Sequence, residues 1–449
     1  MVDAPEGASE PLLAEGVRPG LAVDAKPRTD SGWVRAFATL RNPHFRMYWM
    51  GMLAYFMAMN MGQIARGWLA FDLTGRAAAL GVVSLAWGAP MTLFSLLGGA
   101  IADRSDKRLL TLGSQAALFA LAISAAVLVH TGAIQIWHLA VLAFLEGTVF
   151  SFAIPARLAW VPELIEEGEL MNAIALNNAA MQATRIVGPG LAGALIGVPF
   201  FGMTGTFYLI ACFYIVVFFC MLQVPSTGIS DADSRLSLAT RMMAGVRYIA
   251  GHDVLMALLI LALLPVLLGA PFQIMLPVFA EDVYGVGPGG LGAMATMAGI
   301  GATAGSLLIG SLGDFNRRGT AQFLTGVVFG IGLFLFGLAG SFAMSLPVLA
   351  LLGMSFTSYM VINNTLVLTT AERRYHGRVM AVYMLTWSMM PVVAMPVAAL
   401  ADVVGVQEVV VGLGVTLVVL MVAMRLFYPN YHLLNAPARA LAVEESGEA

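Results

Sequence analysis

Charge is what this sequence has least of. Asp, Glu, Lys and Arg together supply 11% of its residues, where a water-soluble domain carries about 25%. That supply cannot cover an aqueous surface, so a soluble globular fold is excluded. Cysteine is almost absent as well. Cys212 and Cys220 lie in one apolar run, without the spacing of a metal or redox motif, and read as core packing. There is no G-x-x-x-x-G-K-[ST] loop to power a nucleotide-driven pump. There is no H-E-x-x-H and no serine–histidine grouping among the six histidines, so nothing points to an enzyme, a metal or a bound cofactor. No basic stripe or exposed aromatic platform suits nucleic acid, and no selectivity-filter repeat suits a channel.

What fills the chain instead is apolar: 59% hydrophobic residues, with 48 glycines and 28 methionines. Runs of about 20 apolar residues, each enough for a bilayer core roughly 30 Å thick, recur almost end to end. They predict twelve spans, near 46–72, 79–101, 109–130, 135–156, 172–197 and 203–223, then 254–280, 287–313, 320–339, 343–369, 377–400 and 404–426. The fold class expected is an all-α polytopic membrane protein, two six-helix halves around a central cavity. Residues 1–30, rich in Pro, Gly, Ala and acids, read as a disordered cytoplasmic tail rather than a signal peptide. The halves are expected at 31–223 and 254–427, joined by a cytoplasmic linker at 224–253 and followed by a tail at 428–449. The linker contains "RLSLATRMMAGVRYIAGHD", apolar at helical spacing with Arg235, Arg241 and Arg247 interspersed, which predicts an interfacial helix.

Basic residues orient the chain. Twenty of the 23 Lys and Arg fall before span one, after the even-numbered spans or at the C-terminal end, and one, Arg76, falls on the opposite side. Both termini are therefore expected in the cytoplasm. Two stretches repeat at an offset of 211 residues: "LGVVSLAWGAPMTLFSLLGGAIAD", Leu80 to Asp103, and "LGAMATMAGIGATAGSLLIGSLGD", Leu291 to Asp314. Each ends in a loop aspartate followed by adjacent basic residues. Two halves of parallel orientation suit an alternating-access carrier.

The loop "GGAIADRSDKR", residues 98–108, resembles the signature between helices two and three of major facilitator superfamily transporters, G-x-x-x-D-R-x-G-R-R/K. It maps onto Gly99, Asp103, Arg104, Lys107 and Arg108, with Asp106 where the family prefers glycine. The second copy, "GSLGDFNRRG", keeps Gly310, Asp314, Arg317 and Arg318. "ELMNAIALNNAAMQATRIVGPGLAG", "IMLPVFAEDVYG" and "HGRVMAVYML" make the chain similar to the bacterial branch of drug, macrolide and siderophore exporters and lysophospholipid carriers. The resemblance implies the major facilitator fold and a gate at the loop. Physically, Gly99 permits close helix packing, Asp103 can meet a helix N-terminus or a guanidinium across the seam, and Arg104 can fork onto a carboxylate. Glu163 is a candidate carboxylate partner, and the gating set comprises Gly99, Asp103, Arg104, Arg108, Glu163, Asp314, Arg317 and Arg318.

Ionisable residues at membrane depth are costly and face a cavity or a partner. Asn60, Gln63 and Arg66, three apart in span one, are expected to form an inward-facing polar stripe. Glu146, alone near the middle of a span, is the candidate proton-coupling site. Arg185 could bind an anionic substrate group or pair with Glu146. Gly188, Pro189 and Gly193 beside it predict a thin, bent packing surface. In the second half Gln273, Asn363 and Asn364 are candidate substrate donors and Trp387 a candidate aromatic wall. The family's R-x-x-x-G motif in span four would need a basic residue where Ala143 stands. The expected function is proton-driven export of a hydrophobic or amphipathic small molecule by a monomer in the bacterial inner membrane. The alternatives are a lipid or lysophospholipid carrier and proton-coupled uptake of an anionic solute.

Overall fold

The computed structural model describes residues 39–165, 169–226, 238–313, 315, 317–428 and 434–435. Helices dominate, and local chemistry sets their ends. Asn42 accepts hydrogen bonds from the His44 and Phe45 amides, at 3.0 and 3.3 Å, and Pro43 opens α1 (Pro43–Thr74), three residues before the expected start. Gly75, at φ +62°, closes it in the left-handed conformation that glycine adopts freely. α2 (Ala77–Arg104), α3 (Lys107–His130), α4 (Ile136–Trp160), α5 (Leu170–Gly197) and α6 (Gly202–Leu222) follow. The linker forms α7 (Leu238–Ala250), docked on the second half by Tyr248 stacked over Tyr375 at 4.0 Å.

α8 (Asp253–Val283), α9 (Gly287–Leu312), α10 (Arg318–Gly337), α11 (Phe342–Thr370), α12 (Arg373–Val404) and α13 (Val406–Phe427) complete the set. Two of these depart from the uninterrupted spans expected of them. α8 passes through π and 3-10 turns at Pro265–Gly269, Ala270–Gln273 and Phe279–Val283. Pro265, Pro271 and Pro277 remove one amide donor per six residues there, so the regular ladder cannot close. α12 breaks at Met389, two residues before Pro391.

Ten helices among the described residues are long and apolar enough to cross a membrane. α1 and α5, with 32 and 28 residues, match them in length but are diluted by polar side chains, among them Asn60, Gln63 and Arg66 in α1 and Asn177, Gln182 and Arg185 in α5. Neighbour relations occur in duplicate. α2 packs on α4, and α3 on α4 and α6; likewise α9 packs on α11, and α10 on α11 and α13. The two sets meet along two seams, α2 against α12 and α5 against α9. Their outer surfaces expose Leu93, Val187, Leu307 and Val403, as a lipid-facing surface does.

Candidate functional site: two seams and a buried charge pair

The seams are built on glycine. In α2, Gly81 lies against the Met395 backbone and Ala398, and Gly88 against Pro391; a Cβ at either position would collide. In α9 the residues 211 positions on, Gly292 and Gly299, lie against Gly193 and against the Arg185 carbonyl. Steps of seven and then eleven residues keep one helix face, since about 100° per residue returns within roughly 20°. The third members of that face are Gly99 and Gly310, and neither has any atom within 4 Å of its Cβ position. Close packing at Gly99, expected from the sequence, is not made in this conformation, because α2 and α12 part beyond Pro391. Both seams are closed at the Asp402 end of the bundle and apart at the Arg104 end.

The closed end carries a polar fastening that the sequence reading missed. Asp402, near the end of α12, accepts from the Ala77 amide on Oδ1 at 2.6 Å and from the Ala78 amide on Oδ2 at 3.0 Å. Arg76, the residue at the N-cap of α2, offers no side-chain cap of its own. The first turn of α2 is thus capped in trans by a carboxylate, which also faces the positive end of the helix. Only the pairing of residues 325 positions apart reveals it.

At the other end most of the charged loop ties down its own set of helices. Lys107, buried, meets Glu163 at 2.6 Å. That bond gives Glu163 a partner within the first six helices. Arg108 donates to the Leu222 carbonyl at 2.6 Å, capping the end of α6. Asp106, the departure from the family pattern, caps α3: its Oδ1 accepts from the Arg108 and Leu109 amides at 2.8 and 3.2 Å, and Oδ2 from the Ser226 hydroxyl at 2.5 Å. Burial alone would raise its pKa. Hydrogen bonds from Ser226, Leu109 and Arg108, with the Arg108 charge, outweigh that and hold the carboxyl below its ordinary range. Arg104 and Arg317 are exposed, and Arg318 is half-buried. The side chain of Asp103 and the whole of Asp314 lie outside the described residues, as do residues 1–30, most of 428–449 and Arg235.

Within the spans, Arg66 and Glu146 form an ion pair in which one nitrogen, Nη1, donates to both carboxylate oxygens, 2.6 Å from Oε2 and 2.9 Å from Oε1. Both side chains are largely buried, and a narrow cavity of about 30 Å³ beside them is lined from α1, α3, α4 and α6, including Leu118, Leu142 and Tyr214. Gly62 makes room for the guanidinium. The expected polar stripe of α1 is therefore split. Residues three apart fall back about 60° per step, so Asn60 and Arg66 stand roughly 120° apart. Asn60 donates to the Phe56 carbonyl and to Thr184 of α5, at 2.8 and 3.5 Å. Gln63 is exposed, one turn from Gly67, whose Cβ would touch Pro277 of α8, so it faces the second set of helices.

Arg157, expected in a loop, lies inside α4, buried, with its guanidinium carbon 3.6 Å from the Tyr55 ring centroid. Among the described residues Arg185 has no hydrogen-bond or ion-pair partner, Glu146 being held by Arg66. Gly188 and Gly193 form the predicted packing surfaces, toward Asn60 of α1 and Gly292 of α9, with Pro189 buried between them. In the second half Asn363 is fully buried and donates to the Leu258 carbonyl at 3.1 Å, which takes its amide away from any cavity. Gln273 and Asn364 are half-buried without side-chain partners. Trp387, 38% exposed, stands edge-on to Phe356 just where α12 leaves α2.

Against this geometry the comparisons with known proteins are consistent. A family model described as "Transmembrane secretion effector" matches residues 34–441. The chain is 25% identical over 355 residues to the "Staphyloferrin A transporter" of Staphylococcus aureus, covering 78% of this chain and 88% of that protein. It is 22% identical over 373 residues to "Macrolide efflux protein A" of Streptococcus pyogenes, covering 81% and 91%. A crystal structure of the nucleoside transporter NupG superposes with a TM-score of 0.70 at 12% identity, covering 85% of this chain and 99% of that one, which speaks for the fold alone. Twin glycine seams, apolar helices in duplicate arrangement and a match over nearly the whole length lead to one assignment: the chain belongs to the transmembrane secretion effector family of the major facilitator superfamily, and it is a membrane transporter.

Proposed function

We propose that the protein is a twelve-span carrier that exports a hydrophobic or amphipathic small molecule, drug-like or siderophore-like, in exchange for protons. The observation that carries this reading is the unequal state of the two seams, closed at Gly81, Gly88, Gly292 and Gly299 and open at Gly99 and Gly310. A carrier needs two such arrangements of the same faces. In this reading α1 and α5 also cross the bilayer, their polar residues lining the path, and residues 31–223 and 254–427 are the moving halves. Both termini are cytoplasmic, so the conformation is inward-open. The loop residues Asp103 and Arg104, with Asp314, Arg317 and Arg318, then engage the opposite half when the inner side shuts.

Glu146 is the proton site of this proposal. Its ion pair with Arg66 fixes the charged carboxylate, and breaking a buried pair costs about 3–5 kcal/mol. A proton arriving at Glu146 replaces that attraction and lets the two side chains separate as α1 and α4 shift. Glu146→Gln keeps the shape and removes the titration. Substrate-induced proton release in detergent and gradient-driven accumulation in vesicles should both fall by about tenfold or more, the scale of a lost charge-assisted contact, while substrate exchange without a gradient persists. Equal proton release in wild type and E146Q would reduce the pair to a structural brace.

A further inference from the structure

Arg66, Arg157 and Arg185 lie in the spans of the first half with buried or half-buried side chains. Arg66 has Glu146, and Arg157 has the face of Tyr55. Among the described residues Arg185 has neither a carboxylate nor an aromatic face, and no hydrogen bond. An uncompensated guanidinium at membrane depth is costly, so its retention calls for a counter-charge that comes and goes. Its direction is fixed by its neighbours on α5. Thr184 and Gly188 face α1, through Asn60, while Gln182 and Gly193 face α9, through Ser306 and Gly292. At about 100° per residue, Arg185 projects from the strip midway between those two faces. The opposite strip carries Val187, 52% exposed as a lipid-facing side chain is. Arg185 therefore points between α1 and α9, at the level where Gly299 meets its main chain. Two amides with no side-chain hydrogen-bond partner among the described residues are also available, Gln63 on the face of α1 toward the second half and Gln273 in the 3-10 turn of α8.

We infer that the transported molecule carries an oxyanion, a carboxylate or an equivalent acidic group, and that Arg185 is its anchor. This rests on the carrier reading and narrows its substrate class to anionic amphiphiles. A guanidinium suits that task because its planar fork meets both oxygens of a carboxylate at once. The apolar remainder of the ligand lies along the methionines and Trp387, and the amides of Gln63 and Gln273 supply neutral contacts.

The test compares two probes that differ only in charge, 11-(dansylamino)undecanoic acid and its methyl ester, bound to the purified full chain in a neutral maltoside detergent. The wild type should bind the acid about tenfold or more tightly than the ester, as a hydrogen-bonded charge pair requires. Arg185→Gln should erase that preference and leave ester binding within about twofold, and Arg185→Lys should retain part of it. R185Q should elute as a monodisperse peak; if it does not, the R185K preference alone decides. Displacement of the acid by decanoate assigns the site to soluble amphiphiles, and displacement by lysophosphatidylglycerol alone assigns the same anion chemistry to a lipid headgroup. Equal binding of acid and ester by the wild type, failure to bind either, or a preference that survives in R185Q overturns the inference. Vesicle transport is a separate readout. A protein that prefers the acid yet moves neither probe keeps the anion site and loses the carrier reading. One that moves both equally keeps the carrier and loses the site.

Discussion

The two ends of the bundle use the same residue type on the same helix faces to opposite effect. At one end, Gly81 of α2 and Gly292 and Gly299 of α9 bring main chains into contact, Gly88 receives the Pro391 ring, and Asp402 fastens the join. At the other, Gly99 and Gly310 continue those faces into open space. A seam glycine is therefore a socket, filled at one end of the bundle and vacant at the other. Its cost on substitution depends on which conformation is occupied.

That asymmetry can be broken most forcefully by filling the sockets. Gly88→Leu and Gly299→Leu insert side chains where Pro391 and the Arg185 main chain already stand. Overpacking of this kind costs about 1–3 kcal/mol, which displaces an equilibrium by about five- to 150-fold, here away from the closed Asp402 end. Gly99→Leu and Gly310→Leu meet nothing in the present conformation and should hold it, blocking closure of the Arg104 end. All four should abolish turnover, but their distances should move in opposite directions. Pulsed electron–electron resonance between spin labels at Arg76 and Val403, and between labels at Arg104 and Gly377, reads this in a cysteine-free background. The same shift for G88L and G99L would show that the glycines are not paired sockets.

A smaller effect comes from the fastening. Asp402→Ala removes a helix cap made in trans, worth about 1 kcal/mol, or roughly fivefold in the balance of conformers. The Arg76–Val403 distance distribution should gain a longer component, while thermal stability of each half stays nearly unchanged. Unaltered distances would reduce Asp402 to a local cap.

The smallest effect belongs to Asp106, whose bonds reach only α3 and Ser226 at the start of the linker, none of them across a seam. Asp106→Ala should cost about 1 kcal/mol in melting stability and leave both label distances as they were. Because the native pKa lies below the ordinary value of 3.8, its contribution is complete at neutral pH. It should stay constant down to about pH 5 and disappear as pH falls through the lowered native pKa, so wild type and D106A converge only in strong acid. A difference that already fades between pH 7 and 5 would assign the effect to another group.

Much of the architecture was legible in the chain. The offset of 211 residues located both seam helices before any contact was known, and the same offset carries Gly88 to Gly299, a correspondence visible in the letters although not drawn from them. The spans of α2, α3 and α9 followed from apolar length. The interruptions of α8 and α12 did not, although Pro265, Pro271, Pro277 and Pro391 were plain to see, because a proline within an apolar run marks a break only when neighbouring helices re-satisfy the freed carbonyls. The site was less legible. Glu146 and both intramembrane arginines stood out by charge, yet which arginine it would meet depended on how α1 and α5 turn about their axes. A reading of three-residue spacing as one face was too coarse for Asn60, Gln63 and Arg66. Asp402 and Arg157 looked like ordinary loop charges, since their partners, Ala77 and Tyr55, are remote in sequence.

The contact of main chain on main chain along the seams also bears on speed. Where Gly193 meets Gly292, and Gly81 meets the Met395 backbone, there are no interlocking side chains whose rotamers must change before the surfaces part. What holds them is a few hydrogen bonds, from Thr296 to the Ile186 carbonyl at 3.0 Å and at Asp402, and many weak contacts, including Cα–H···O approaches worth about 0.5–1 kcal/mol each. Such a surface separates by gliding, losing its contacts in step rather than against one steep obstacle. The closed end can thus be tightly sealed and still quick to open.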